Sequence, residues 1–337
     1  MTALKSNKNY VIPIFIPELA CPFQCLYCDQ RKISGKMRVA AEDEVIQTIN
    51  SYLKTIPEKS NIELGYFGGN FTGIPKAKQE KYLALAQPFL KDGSIQNIRL
   101  STRPDYINPE VLELLKMYKV GTIELGAQSM DDKVLIQSKR GHTVADTNEA
   151  AKLIRKFNFN LGLQMMIGLP GDSKEKAVAT AKKIVELDAE NTRIYPTLII
   201  KGTALEKMFK QGKYKPLSLK EAVGWTAEIV EIFEQAKVKI LRVGLHPSEG
   251  LLDGSDLVAG PFHLNFREMV LTEIWRKKLD QIKIKGESLT ISVNPKELNF
   301  AVGYSSSNKI MLQQRFKKLK LITDEKIRDR NYELDHH

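Results

Sequence analysis

Cysteine is scarce in this chain: three in 337 residues, at positions 21, 25 and 28. No second CxxC pair exists, so the paired half-sites that structural zinc usually takes are missing. No apolar run approaches the roughly 20 residues that a membrane-spanning helix needs. The first apolar stretch, from Val11, is interrupted by Pro13, Pro17 and Glu18, and a secretory signal is not expected. No internal repeat or low-complexity tract occurs, which sets repeat architectures aside. Acids are the minority charge. Lys and Arg number 51 against 40 Asp and Glu, giving a net charge of +11 and a pI near 9.3. Such an excess favours a polyanionic partner such as RNA, although basic surfaces often serve only solvation. Unpaired thiols suit a reducing compartment, so a cytoplasmic protein is expected. The chain is long enough for one large α/β domain and an appendage.

What the chain does have is Cys21-Pro22-Phe23-Gln24-Cys25-Leu26-Tyr27-Cys28. This CxxxCxxC run follows the apolar segment 11–17, on a loop leaving an expected buried strand. A free cysteine packs as a small hydrophobe, but packing alone does not gather every thiol into one loop. Three thiolates can hold an iron–sulfur cluster, and a fully protein-ligated cluster usually takes four. The missing fourth would leave one iron open to a substrate or cofactor. Zinc closed by another ligand, or inert cysteines, are the competing readings.

Beyond the loop, apolar runs and helical patterns alternate. Helices are expected over 41–56, 75–90 and 109–118. Another runs from an N-cap at Thr143 through Phe157, where Ala150, Leu153, Ile154 and Phe157 share a face. Strands are expected at 62–67, 98–101, 121–125, 160–167 and 192–199. Near-continuous apolar strands alternating with helices predict a parallel sheet covered by helices. Each strand end is polar or glycine-rich, where barrels keep their functional groups. A helix over 220–236 and a strand over 238–243 follow. His246 and His263 then sit in turn-rich loops, each either a substrate contact or a packed residue. A helix over 266–279, carrying Trp275, is expected to cap the barrel.

The cysteine motif, with Tyr27 before its third cysteine, resembles that of the radical S-adenosylmethionine (SAM) enzymes. The strand-end segments are Gly68-Gly69-Asn70, Ser101-Thr102-Arg103, Glu124-Leu125-Gly126-Ala127-Gln128, Lys139-Arg140-Gly141-His142-Thr143, Gln164-Met165-Met166-Ile167-Gly168 and Arg193-Ile194-Tyr195-Pro196. In this order they resemble the radical SAM portion of the Elongator catalytic subunit family, which modifies wobble uridine in tRNA. Coproporphyrinogen dehydrogenases share the framework more distantly. The resemblance implies an α/β fold, a partial (β/α)6 barrel. It implies a [4Fe–4S] cluster on Cys21, Cys25 and Cys28, with SAM on the open iron. One electron would cleave SAM to a 5′-deoxyadenosyl radical, cluster and SAM carrying the hard chemistry.

The resemblance also assigns roles. Gly68, Gly69 and Asn70 would meet the SAM amino group, Asn70 standing where the family has Glu. Ser101 likewise replaces a Glu. Arg140 would pair with the SAM carboxylate, Gln128 and Gln164 with ribose hydroxyls, and Ile167 would flank the adenine. Tyr27, Arg103 and Tyr195 complete the expected cofactor site. Taken singly, a Gly-Gly pair reads as a turn and a strand-end Arg or Gln as a surface group. A flavodoxin or ferredoxin is the implied electron donor.

The last segment is expected to be a small basic α/β unit: strand 290–293, helix 296–302, polar loop 303–308, a helix to 316 and strand 318–322. It resembles the KH RNA-binding module, with Ser306 in place of that module's second glycine, or it is a plain α/β cap. Lys309, Arg315, Lys317, Lys318 and Lys320 are the expected RNA contacts, with no acid among them. The expected division is 1–245 barrel, 246–285 capping loops and helix, and 286–337 basic unit. After Arg242 no acetyl-CoA motif occurs, so the Elongator acetyltransferase domain is not expected. The leading function is radical modification of a tRNA nucleoside. SAM-dependent oxidation or rearrangement of a small molecule is the alternative, and a non-catalytic cluster or RNA-binding protein is a third class.

Overall fold

The structure, a computed structural model, describes residues 8–16, 25–35, 38, 40–284 and 286–336. Cys21 lies outside the described residues. Seven strands pair in parallel, in chain order: β1 (Asn9–Phe15), β2 (Asn61–Phe67), β3 (Asn97–Thr102), β4 (Val120–Gln128), β5 (Asn160–Ile167), β6 (Asn191–Pro196) and, past a short β7 (Ile199–Ile200), β8 (Lys239–Val243). Parallel neighbours need long crossovers, and helices supply them. After β1 come α1 (Gln30–Ser34) and α2 (Glu42–Leu53), after β2 α3 (Lys76–Lys91), and after β3 α4 (Pro109–Met117). After β4 come α5 (Asp132–Gln137) and α6 (Val144–Lys156), and after β5 α7 (Lys174–Glu186). The pair α8 (Ala204–Lys210) and α9 (Leu219–Gln235) precedes β8. The result is the expected partial barrel, with β8 extending it beside β6.

Local sequence explains these elements. Thr143 caps α6 through a reciprocal box with Asp146, and Ser218 caps α9 in the same way with Glu221. Side chains alternate across each strand. One set, including Leu64, Leu100, Ile123, Leu125, Leu161 and Leu163, is buried in a single core with the helices. The other set faces the barrel interior. The strand expected at 192–199 ends at Pro196 instead: Thr197 turns back, donating its N–H and hydroxyl to the Ile167 carbonyl at 3.0 and 2.8 Å. Ile199 and Ile200 then pair antiparallel with β9 (Leu257–Ala259), which follows α10 (Glu249–Leu252).

Helix α11 (Phe266–Asp280) belongs to two cores. Phe266, Val270, Leu271 and Ile274 join the barrel core, whereas Trp275 and Leu279 join that of the tail. The tail contains β10 (Ser288–Val293), α12 (Leu298–Val302), a 3-10 turn over Tyr304–Ser306, α13 (Ser307–Gln313), β11 (Lys318–Thr323) and an unexpected β12 (Tyr332–His336). Its sheet runs β11-β10-β12, with β11 parallel and β12 antiparallel to β10. The turn holds Ser305 and Ser306 at φ 52° and 61°, left-handed values that side chains other than glycine, Asn and Asp rarely adopt. Among the described residues no helix is long and apolar enough to cross a membrane.

Tertiary pairing brings acids and other partners to the tail's basic residues. Lys317 forms an ion pair with Glu287 at 2.5 Å. Arg315 turns inward, donating to the Ile282 carbonyl and lying 5.5 Å over the Phe316 ring. Lys318 and Lys320 do share the exposed face of β11, and Lys309 is exposed on α13. Strand pairing, however, places Glu333 and Asp335 at the far edge of that sheet face.

Candidate active site

The C-terminal ends of the strands surround the described part of the cysteine loop. The loop is stitched down at both sides: Leu26 donates to the Ser138 carbonyl and accepts from the Leu205 amide, at 3.2 and 2.7 Å. Cys25 is 6% exposed and Cys28 half-buried. Each thiol faces a donor. The Arg140 Nη1 lies 3.5 Å from the Cys25 Sγ, and the Gln30 Nε2 lies 3.4 Å from the Cys28 Sγ. Tyr27 is buried between them. Burial, then the charge of Cys25, pushes its phenol well above the usual tyrosine range, so it stays protonated.

Arg140 is the most informative of the expected residues. It is 7% exposed, its Nη2 donates to the Gly126 carbonyl at 3.0 Å, and its Nε has no partner among the described residues. Among the described residues no carboxylate pairs with it. A buried cation without a counter-anion is costly, and among the described residues the hydrogen-bond partners of this guanidinium are a thiol and a carbonyl. Arg103 holds it in place: Arg103 grips Asp105 through Nε and Nη2, both bonds within 2.9 Å, and donates from Nη1 to the Arg140 carbonyl. Arg103, expected among the cofactor contacts, thus reaches the site through the backbone of Arg140. His142, which sequence reasoning left without a role, lies behind both. Burial, then Arg140 and Arg103, push its pKa down to about 3, and its Nδ1 is a buried acceptor with no partner.

Asn70 is buried, its Oδ1 accepting from the Thr102 hydroxyl at 2.6 Å and the Arg103 amide at 3.3 Å. It ties the end of β2 to the end of β3. Gly68 and Gly69 before it take φ 100° and 148°, open only to glycine. Ser101 lines a small cavity with Gly69, Asn70 and Phe71. Gln128 and Gln164 are brought together, the Gln164 Nε2 donating to the Gln128 Oε1 at 3.2 Å across a bulge between β4 and β5. Ile167 is fully buried in the main core. Tyr195 packs beside Cys28 against the loop.

Below this layer lies a charged floor that the sequence analysis did not single out. Arg99 bridges Glu63 and Glu124 at 2.9 and 2.6 Å, and Arg193 pairs with Glu124 at 2.7 Å while lying 5.1 Å over the Phe67 ring. Burial works against ionisation of Glu124, but Arg193 and Arg99 hold its carboxyl below the usual range. The signal was present: charged residues at alternate positions in otherwise apolar strands.

A parallel half-barrel with thiols and an uncompensated guanidinium at its C-terminal mouth defines a cofactor-dependent barrel enzyme. The comparisons name it further. Residues 16–184 match the radical SAM superfamily and 189–276 the radical SAM C-terminal domain, so the chain belongs to the radical SAM superfamily. It is 28% identical over 238 residues to an uncharacterised protein of Methanocaldococcus jannaschii, covering 67% of this chain and 72% of that one. It is 26% identical over 267 residues to a tRNA uridine(34) acetyltransferase of Dehalococcoides mccartyi, covering 68% of this chain and 58% of the relative. For Elongator complex protein 3 of Saccharomyces cerevisiae the figures are 28% over 191 residues, 51% and 34%. Archaeal Elp3 from Methanocaldococcus infernus superposes with a TM-score of 0.66 over 81% of this chain and 64% of that one, at 22% identity, and so shares the fold. The chain therefore spans only part of its acetyltransferase and Elongator relatives.

A [4Fe–4S] cluster and SAM are the cofactors of this superfamily, and the residues present fit them. Cys25 and Cys28 offer sulfur ligands with hydrogen-bond donors already placed on them. The uncompensated Arg140 suits a carboxylate, and its orphaned Nε marks unmet hydrogen-bonding capacity there.

Proposed function

We propose that this chain is a radical SAM enzyme that modifies a nucleoside of tRNA in the cytoplasm. The observation that carries the substrate class is the similarity to two proteins that act on tRNA uridine by name or belong to Elongator. Cys21, Cys25 and Cys28 hold the cluster, and Arg140 faces the SAM carboxylate. Gly68, Gly69 and Asn70 frame the amino group, and Gln128 with Gln164 frames the ribose. When bound, the cluster would supply the electron for reductive cleavage of SAM. The chain's own residues bury and orient that chemistry: Tyr27 and Tyr195 wall it from water, and the Arg99–Glu124–Arg193 floor closes the barrel beneath. Lys309, Lys318 and Lys320 of the tail are a further RNA contact. A flavodoxin or ferredoxin supplies the electron.

The test is anaerobic incubation of reconstituted protein with reductant, SAM and unmodified tRNA. Release of 5′-deoxyadenosine should rise on adding tRNA, and mass spectrometry of the digested tRNA should show a new nucleoside. SAM cleavage that tRNA does not affect, with no new nucleoside, would overturn the RNA reading. It would favour a small-molecule substrate instead.

A further inference from the structure

At the edge of the barrel mouth, apart from the cofactor residues, a cleft of about 290 Å³ opens between the end of β8, the loop 262–264 and the start of α11. Its polar lining is Arg242, His263 and Arg267, two guanidiniums and an imidazole. Among the described residues neither arginine has a carboxylate within ion-pair distance. Arg242 is held by the chain, donating from Nε to the Gly244 carbonyl at 3.1 Å and from Nη2 toward the Leu245 carbonyl and the His246 Nδ1 at 3.4 and 3.2 Å. Its Nη1 is not engaged. Arg267 is exposed, its guanidinium 5.9 Å from the Phe300 ring. His263 accepts from the Asn265 amide at its Nδ1, 3.0 Å away, which puts its hydrogen on Nε2 in the neutral ring. The ring edge meets Tyr304 of the tail's turn at 5.5 Å, so the cleft abuts the tail as well as the barrel.

The cleft adjoins the strand beside the site. Arg242 is the register partner of Arg193, so both side chains leave neighbouring strands on the interior face. Tyr195, two residues beyond Arg193, packs with Cys28 against the cysteine loop. A ligand seated on Arg242 and Arg267 therefore lies one strand away from the wall of the cofactor site.

We propose that this cleft is a phosphate subsite that seats a backbone phosphate of the RNA substrate, so that the adjoining nucleoside enters the barrel mouth. Two guanidiniums with no competing acid suit a phosphodiester, which accepts paired N–H donors. The His263 Nε2 adds a third donor. The proposal rests on the RNA reading given above and adds to it the point of attachment.

The experiment is a salt titration of tRNA binding by the reconstituted protein, comparing wild type with Arg242→Gln/Arg267→Gln. The double variant should bind roughly 10- to 100-fold more weakly at low salt, and its log–log salt slope should flatten by about 1–2, as each lost phosphate contact removes counterion release. Arg267→Gln alone, at an exposed position that tolerates substitution, should show about half the slope change, and Arg267→Lys should restore most of it. Thermal melting and SAM affinity serve as controls for folding. Wild type that binds no tRNA would sink the RNA reading and this proposal with it. Wild-type binding that the double variant fully retains would overturn the cleft while leaving the RNA reading intact. Inorganic phosphate that raises the melting temperature of wild type but not of the double variant, with tRNA binding unmoved, would make this a small-anion site and equally overturn the proposal.

Discussion

Arg140 shows how much one residue can decide here. Its guanidinium is buried against a thiol and a carbonyl, and among the described residues no acid pairs with it. Arg140→Gln keeps a donor but removes the charge. A charge-assisted fork contributes about 1.5–3 kcal/mol, so SAM affinity should fall roughly 10- to 100-fold. Anaerobic titration calorimetry would measure it, and unchanged affinity would remove Arg140 from the SAM site. Cys25→Ala should abolish cluster assembly, read as loss of bound iron and sulfide; full iron in that variant would contradict the ligand assignment. His142 carries a pH signature. Its pKa in the folded state, about 3, lies below the ordinary histidine value, so the fold favours the neutral ring. That stabilisation is complete above about pH 6.5 and is lost as pH falls toward 3. Melting temperature should therefore drop across this window in wild type and drop less in His142→Gln, which can still donate to the Ala127 carbonyl but cannot protonate. Parallel pH profiles for the two proteins would contradict this.

Among the elements, α11 has the widest structural consequence. One length of it completes the barrel core and the next completes the tail, with Trp275 fully buried and its Nε1 donating to Glu297 at 2.8 Å. Arg330, pairing with both Glu234 of α9 and Glu297, fastens the same junction. Trp275→Ala should cost about 3–5 kcal/mol through the cavity it leaves. Chemical denaturation should show that loss, and a tail that unfolds before the barrel. A single transition at the wild-type midpoint would mean that the two cores are independent of this residue. The helices of the barrel were readable because caps such as Thr143 and Ser218 and their apolar faces are local features. Strand β12 was not readable. Its pattern Tyr332-Glu333-Leu334-Asp335 alternates, but only pairing with β10 gives a short polar terminus a reason to be extended.

At the scale of the whole molecule, the net charge of +11 is unevenly useful. On the tail, Lys317 and Arg315 are engaged within the protein, and acids occupy the far edge of the sheet face that carries Lys318 and Lys320. In the cleft the arginines meet no acid among the described residues. Lys318→Ala/Lys320→Ala should therefore weaken tRNA binding less than the paired arginine substitutions do, because exposed lysines remain hydrated and contribute little per contact. The same salt titration decides it; an equal or larger loss would make the tail the principal RNA contact.

Sequence alone determined the class of chemistry and the frame. Three cysteines in one loop, apolar strands at regular spacing and polar strand ends are all local in the chain; the strand–helix alternation pointed to a parallel sheet covered by helices, and the resemblance they carry implied the partial barrel. The tertiary structure decided what each side chain is free to do. Ile167 sits in the core because its strand turns that residue toward the helices, whereas Arg103 is committed to Asp105 and the Arg140 carbonyl. Lys317 finds Glu287, 30 residues away. Glu63, Arg99, Glu124 and Arg193 come from four strands and meet only when the sheet curls. Charge pairing depends on distance through space. The order of residues along the chain does not contain that distance until the crossovers have placed the strands side by side.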